Sequence, residues 1–287
     1  MKRFRQWVHS VPALHRLDLL IDKFFGDDVP GLAAELTFYL ITAFFPFLIL
    51  VLAILSFTPL TAEETLFRLL RNLPEDAYQL LYHMLTSVSR SLPIILVATA
   101  IALWSMSSAI GTIAKAINRF YRVEENRNFI KVRIMGIIFA FLIALSIVLS
   151  FALLVFGSLI GHAVVQFFPQ GGTIWNTIRF ATALILIALL FGTLYRYMPN
   201  KRLRFGLIAP GALFSSAAWA TASLLFSFYV NNFARYHILY GSLAGIVILV
   251  TWLYMTSYII LLGGGLNAIL YLRRRTRHKR RRQKKRR

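Results

Sequence analysis

Six apolar runs of membrane-crossing length divide the chain, and most of its charged positions fall between or beyond them. They lie at about residues 32–57, 92–114, 134–160, 176–198, 207–230 and 242–272. Each meets or exceeds the ~20 residues that a helix needs to cross a hydrocarbon core of ~30 Å. The pattern predicts an all-α, polytopic membrane protein with six transmembrane helices. Ahead of the first run, Leu14, Leu17, Leu20, Ile21, Phe24 and Phe25 recur at helical spacing between Arg16, Asp18, Asp22 and Lys23. This predicts an amphipathic helix in a cytoplasmic segment, residues 1–31, on the inner membrane surface or packed under the bundle. Between the first two runs, Leu66, Leu69, Leu70 and Leu73 form one apolar stripe, and Ala77, Leu80, Leu81, Met84, Leu85 and Val88 form a second beyond Pro74. Two short interfacial helices on the outer face are expected there.

The connection between the second and third runs sets the threading. The chain leaves the second run through Ser105, Ser107, Ser108, Gly111 and Thr112. It then carries Lys115, Arg119, Arg122, Arg127, Lys131 and Arg133 before Ile134. Positive charge this close to membrane spans resists translocation, so the connection is expected on the cytoplasmic side. With both termini also inside, the inner segments hold 27 of the 32 Lys and Arg residues. Arg68, Arg71, Arg90, Arg179 and Arg235 fall on or near the outer side.

Composition narrows the class further. Hydrophobic residues make up 58% of the chain, charged residues 15%, and mean hydropathy is +0.65. Soluble globular domains carry about 45–50% apolar residues, so an integral membrane protein is indicated. The net charge of +21 is concentrated, with twelve Lys or Arg among the fifteen residues 273–287. That tail is expected to be disordered and to be drawn to anionic headgroups by ~1 kcal/mol per basic residue. No aromatics interleave with its charges, so base stacking is not on offer and nucleic acid is disfavoured as a partner. Membrane lipids with anionic headgroups are the expected partners, and a homo-oligomer is left open. Cysteine is absent, which excludes disulfides, thiol nucleophiles and thiolate metal sites. Asp18, Asp22, Asp27 and Asp28 interrupt the N-terminal thirty residues, and no signal-peptide pattern is present.

Candidate chemistry is sparse. The eleven acidic residues end at Glu125, and the six histidines are scattered without metal-ligand spacing. No catalytic residue, metal site or cofactor is expected. Glu35 stands inside the first span and, with Asn118 and Arg119, is the candidate substrate contact. The competing reading has the positive end of its own helix stabilise the Glu35 carboxylate near the interface. Pro46 should kink the first span. Small-residue faces at Ser108, Gly111 and Thr112, at Gly157 and Gly161, and at Gly211 with Ser215 should let helices approach closely. Pro210 with Gly211, and Gly263 with Gly264 and Gly265, are the expected places for a helix kink or break. Expected lipid-headgroup contacts are Lys115, Arg122, Lys131, Arg133, Lys201, Arg202, Arg204, Arg273, Arg274 and Arg275.

Several motifs resemble the YihY/BrkB family of bacterial inner-membrane proteins, once labelled ribonuclease BN. They are Ala34-Glu35-Leu36-Thr37-Phe38-Tyr39 with Phe45-Pro46, Leu103-Trp104-Ser105 through Asn118-Arg119, and Tyr197-Met198-Pro199-Asn200. Pro210-Gly211-Ala212, Tyr240-Gly241-Ser242-Leu243, Trp252-Leu253-Tyr254 and Leu262-Gly263 continue the likeness, which covers almost all of residues 28–272. The resemblance implies six spans in the bacterial cytoplasmic membrane, no established reaction, and suggested roles in transport or envelope lipid export. It also implies that the ribonuclease label is a misassignment. The family commonly carries Leu-Gly-Ala-Glu near the end of the last span, and Gly263-Gly264-Gly265 departs from that, so no role of that glutamate transfers to Gly265. The expected function is transporter-like handling of a lipid or other amphiphilic envelope component. The alternative is a non-transporting scaffold that binds anionic lipid or protein partners through its basic face and tail. A membrane-tethered ribonuclease ranks last.

Overall fold

The structure, a computed structural model, describes residues 26–56, 92–146, 149, 171–201, 203–232 and 244–284. Six helices long and apolar enough to cross a membrane lie among these residues. They are α1 (Val29–Ser56), α2 (Leu92–Tyr121), α3 (Phe129–Ser146), α4 (Gly171–Tyr197), α5 (Phe205–Asn232) and α6 (Ala244–Lys284). No strand occurs among the described residues. Residues 1–25 of the N-terminal segment, with its amphipathic stripe, the two outer interfacial helices, Gly157, Gly161 and Arg202 lie outside them.

The helices share the expected runs but not their edges, because charge marks where hydrocarbon stops and not where a helix stops. α2 continues past 114 to Tyr121: Ala116, Ile117, Phe120 and Tyr121 are buried while Lys115 and Arg119 face out. It ends in a reciprocal backbone cap, with Arg122 N–H donating to the Arg119 carbonyl and Val123 N–H to that of Asn118. This closure needs a left-handed residue just past the helix, and Arg122 supplies it at φ 53°. α3 begins at Phe129, five residues earlier than its apolar run, because the Asn128 carbonyl accepts from Lys131 and Val132 N–H. Lys131 and Arg133 thus stand on the first turns of a helix. α4 stops where Pro199 bars the preceding residue from helical backbone. α6 runs helically through the basic residues to Lys284, where the sequence pattern ended the span at 272 and left a disordered tail. The helices are unbroken at the expected kink or break sites: α1 runs through Pro46, α5 through Pro210 and Gly211, and α6 through Gly263.

The chain divides into two compact units. One comprises residues 1–37, 112–127 and 191–287, and the other residues 38–111 and 128–190. In the second, Ala43 of α1, Met106 of α2 and Ala140 of α3 form a buried core, closed by Leu40, Phe47, Leu103 and Ile143. In the first, α5 and α6 meet almost backbone to backbone at Gly211 and Gly263. A Cβ on Gly211 would strike Asn267 and the Gly263 carbonyl, and one on Gly263 would strike the Ser215 and Tyr195 hydroxyls. Glycine costs about 1 kcal/mol in a helix relative to alanine, and close approach is what it gives in return. The buried Asn267 amide staples the proline turn of α5 at this crossing. Its Oδ1 accepts from Gly211 N–H at 2.7 Å, and its Nδ2 donates to the Ile208 carbonyl at 3.0 Å.

Large apolar side chains point outward along these helices, among them Leu96, Trp104, Phe141, Ile185, Leu224 and Phe228. Polar Thr37, Asn118, Ser215, Ser257 and Asn267 are buried. Exposed apolar surface of this extent is unfavourable in water and natural against lipid.

Candidate functional site at the basic helix ends

The first unit gathers the start of α1, the ends of α2 and α4, and the whole of α5 and α6. Its polar contacts form two layers. The outer layer is an ion-locked junction between the α2–α3 and α4–α5 connections. The Arg127 fork donates from Nε to Glu125 Oε1 at 2.7 Å and from Nη2 to Oε2. It also donates from Nη1 to the Tyr197 carbonyl at 3.2 Å and from Nη2 to the Met198 carbonyl at 2.7 Å. One guanidinium thus neutralises a carboxylate and satisfies carbonyls at the end of α4. Asn118, buried at the end of α2, completes the junction. Its Nδ2 donates to Glu125 Oε2 at 2.6 Å, and its Oδ1 accepts from Asn200 N–H at 2.7 Å. Asn200 Nδ2 donates in turn to the Glu124 carbonyl at 3.1 Å.

The Glu125 carboxyl is held below its usual range. Its hydrogen bond from the Arg127 side chain contributes most, partial burial opposes, and the Arg127 N–H and charge and the Asn118 amide assist. A carboxyl lowered on folding stabilises above its unfolded value, about 4.3, and that contribution is lost as pH falls through the lowered folded value. The thermal midpoint of the detergent-solubilised protein should therefore exceed that of Glu125→Gln by a constant margin from neutral pH to about pH 5, and the margin should close at lower pH. A margin independent of pH down to 3 would contradict the assignment.

The inner layer is a belt of hydroxyls. Tyr195 of α4 pairs with Ser215 of α5 at 2.7 Å, and the two reach the Ile260 and Ile259 carbonyls of α6 at 2.8 Å and 3.2 Å. Thr37 of α1 donates to the Ala33 carbonyl at 2.7 Å and lies 3.1 Å from the Ser257 hydroxyl of α6. These buried groups join four helices. Their hydrogen bonding escaped the sequence reading, which places Ser215 only on a close-packing face and Thr37 only within a motif, because single hydroxyls in apolar runs carry no spacing signal. Asn267 was missed too, although an amide deep in an apolar run is such a signal.

The three expected substrate contacts have different partners. Glu35 accepts from Thr112 at 3.0 Å and pairs with Lys115 at 3.4 Å, on α2 residues one turn apart. Both charges are at least a third exposed, so the pair contributes about 0–1 kcal/mol. Asn118 belongs to the Glu125 junction, and Arg119 reaches the Gly26 carbonyl at 3.3 Å and Asp27 at 4.0 Å. Together they tie α2 to α1 and to the connections. Of the expected headgroup contacts, Arg122, Lys131, Arg204, Arg273, Arg274 and Arg275 are exposed. Lys115 is exposed beside Glu35, Lys201 stacks on Tyr271 at 4.6 Å, and Arg133 is drawn into an aromatic cage in the second unit. Among the described residues no group of three His, Asp or Glu is placed to hold a metal ion.

A family model described as Virulence factor BrkB matches residues 20–287. YfkH of Bacillus subtilis, whose name calls it ribonuclease-like, is 34% identical over 248 residues, spanning 85% of this chain and 90% of its own. A UPF0761 membrane protein of Tolumonas auensis is 27% identical over 257 residues, spanning 85% of this chain and 81% of its own. One from Azotobacter vinelandii is 25% identical over 273 residues, 90% of this chain and 64% of its own. No solved structure matches the chain.

Proposed function

From the fact that this chain belongs to the BrkB family of multi-pass membrane proteins, we propose that it is a transporter-like protein of the bacterial cytoplasmic membrane. It handles an anionic lipid or similar amphiphilic envelope component, with both termini cytoplasmic. One observation carries the reading: a single compact unit sets exposed cations at its helix ends beside a buried belt of hydroxyl and amide groups between α1, α4, α5 and α6. Cations at headgroup level raise the local concentration of anionic amphiphiles. The belt supplies polar groups inside the bundle, where a headgroup in transit needs them. Charge distribution along the chain supports the orientation.

Purified protein in liposomes should accelerate translocation of labelled phosphatidylglycerol over phosphatidylcholine. Replacing Arg204 and Arg273 with glutamine should lower that rate about fivefold per charge. Equal translocation with and without protein, across anionic and zwitterionic lipids, would remove the reading.

The helical extension of α6 through the basic run favours a second reading, a non-transporting scaffold that recruits anionic lipid or partners. Truncation after Leu272 separates the two. If the truncated chain rescues a null strain, the spans carry the activity; if it does not, the tail does. The name of YfkH suggests a third, nuclease reading, which requires metal-dependent RNA cleavage abolished by Glu35→Gln.

A further inference from the structure

Arg133, in the second turn of α3, carries a charge that no described residue neutralises. Its Nη1 donates to the Trp104 carbonyl at 3.0 Å and to the Ser108 hydroxyl at 2.8 Å. The guanidinium lies 3.9 Å over the Trp104 ring and 5.0 Å from the Phe129 ring. The backbone beneath it is fixed, because Ser107 donates to the Arg133 carbonyl at 3.2 Å and a Cβ on Gly136 would strike the Ser107 backbone. Among the described residues no carboxylate pairs with Arg133, and its Nε and Nη2 find no protein acceptor. An arginine presents five donors, and here one nitrogen is engaged while the edge that would fork onto an oxyanion is left open.

The surroundings of this cation are those of a membrane boundary. Trp104 and Phe129 are each 63% exposed, as aromatics at the headgroup level are. Ile130, Ile134, Ile137 and Phe141 follow along α3 at helical spacing, all exposed. A held, unneutralised guanidinium above an apolar ridge is complementary to one molecule class: a phosphate joined to acyl chains.

We infer that the Arg133 cage is a specific site for one anionic phospholipid, whose phosphate takes the open Nε and Nη2 edge and whose chain lies along the α3 ridge. Because the guanidinium is already tied and stacked, little ordering is left for binding to impose. The site rests on the headgroup-level placement of the basic helix ends proposed above, and is independent of transport.

The test is native mass spectrometry of the full chain released from nanodiscs of phosphatidylglycerol and phosphatidylcholine. The wild type should retain one phosphatidylglycerol more than Arg133→Gln, with apparent affinity about tenfold higher. Arg133→Lys, which keeps the charge and loses the fork, should fall between, with helix content unchanged by circular dichroism. Equal retention by wild type and both variants overturns the proposal. So does protection of the delipidated protein by inorganic phosphate alone, to the same extent as by phosphatidylglycerol, since that marks a soluble-anion site. Lost retention in the variants with lipid flux unchanged supports this site and leaves the transport reading to its own assay.

Discussion

Gly263→Val is expected to prevent normal assembly of the first unit. The new Cβ lands on the Ser215 and Tyr195 hydroxyls and within 3.0 Å of the Gly211 carbonyl, and two of these groups already satisfy each other. Overpacking of a tight core costs about 1–3 kcal/mol, and expelling a paired buried hydroxyl adds about 1–3 kcal/mol more. The sum, about 2–6 kcal/mol, should lower the thermal midpoint in detergent by roughly 10 °C or leave the protein aggregated on size-exclusion chromatography. Gly245→Val is the control in the same helix, because no described residue lies within 4 Å of its Cβ position. It should cost under about 1 kcal/mol. Equal effects at the two positions would mean that α5 and α6 do not meet at Gly263.

Arg127→Met is expected to be the most damaging charge substitution among the described residues. The Arg127 side chain is 9% exposed and its partner Glu125 33% exposed, so the change strands a half-buried carboxylate and two carbonyls at the end of α4. Breaking a fully buried pair costs about 3–5 kcal/mol, and the exposure of Glu125 discounts this to about 2–3 kcal/mol. Arg127→Lys keeps the charge but cannot span carboxylate and carbonyls together, and should recover less than half of the loss. Lys115→Met removes an exposed pair and should cost under about 1 kcal/mol. A detergent-unfolding series over the three variants checks that order.

The apolar runs make the six helices legible in the sequence, since lipid requires each crossing segment to satisfy its own backbone. The motifs around Glu35, Trp104 and Met198 made the family legible as well. Helix ends were not, because α2 and α3 extend past their apolar runs as amphipathic turns that carry Lys115, Arg119, Lys131 and Arg133. The partners of the polar residues were not legible either. Asn118 meets Asn200 across 82 positions and Tyr195 meets Ile260 across 65, and no local pattern encodes such pairings. Glu125 and Arg127, two residues apart in a charged connection, read as solvated charge until the end of α4 is seen beneath them. At Gly263 the residue type drew notice and the mechanism differed: the glycine lets α5 and α6 touch, and α6 stays continuous.

Every functional reading here depends on the basic helix ends sharing the cytoplasmic face. The chain has no cysteine, so single cysteines placed at Lys201 and at Asn232 report sidedness without background. In right-side-out vesicles a membrane-impermeant maleimide should label Asn232→Cys at once and Lys201→Cys only after permeabilisation. Labelling of both from the same side would contradict the account.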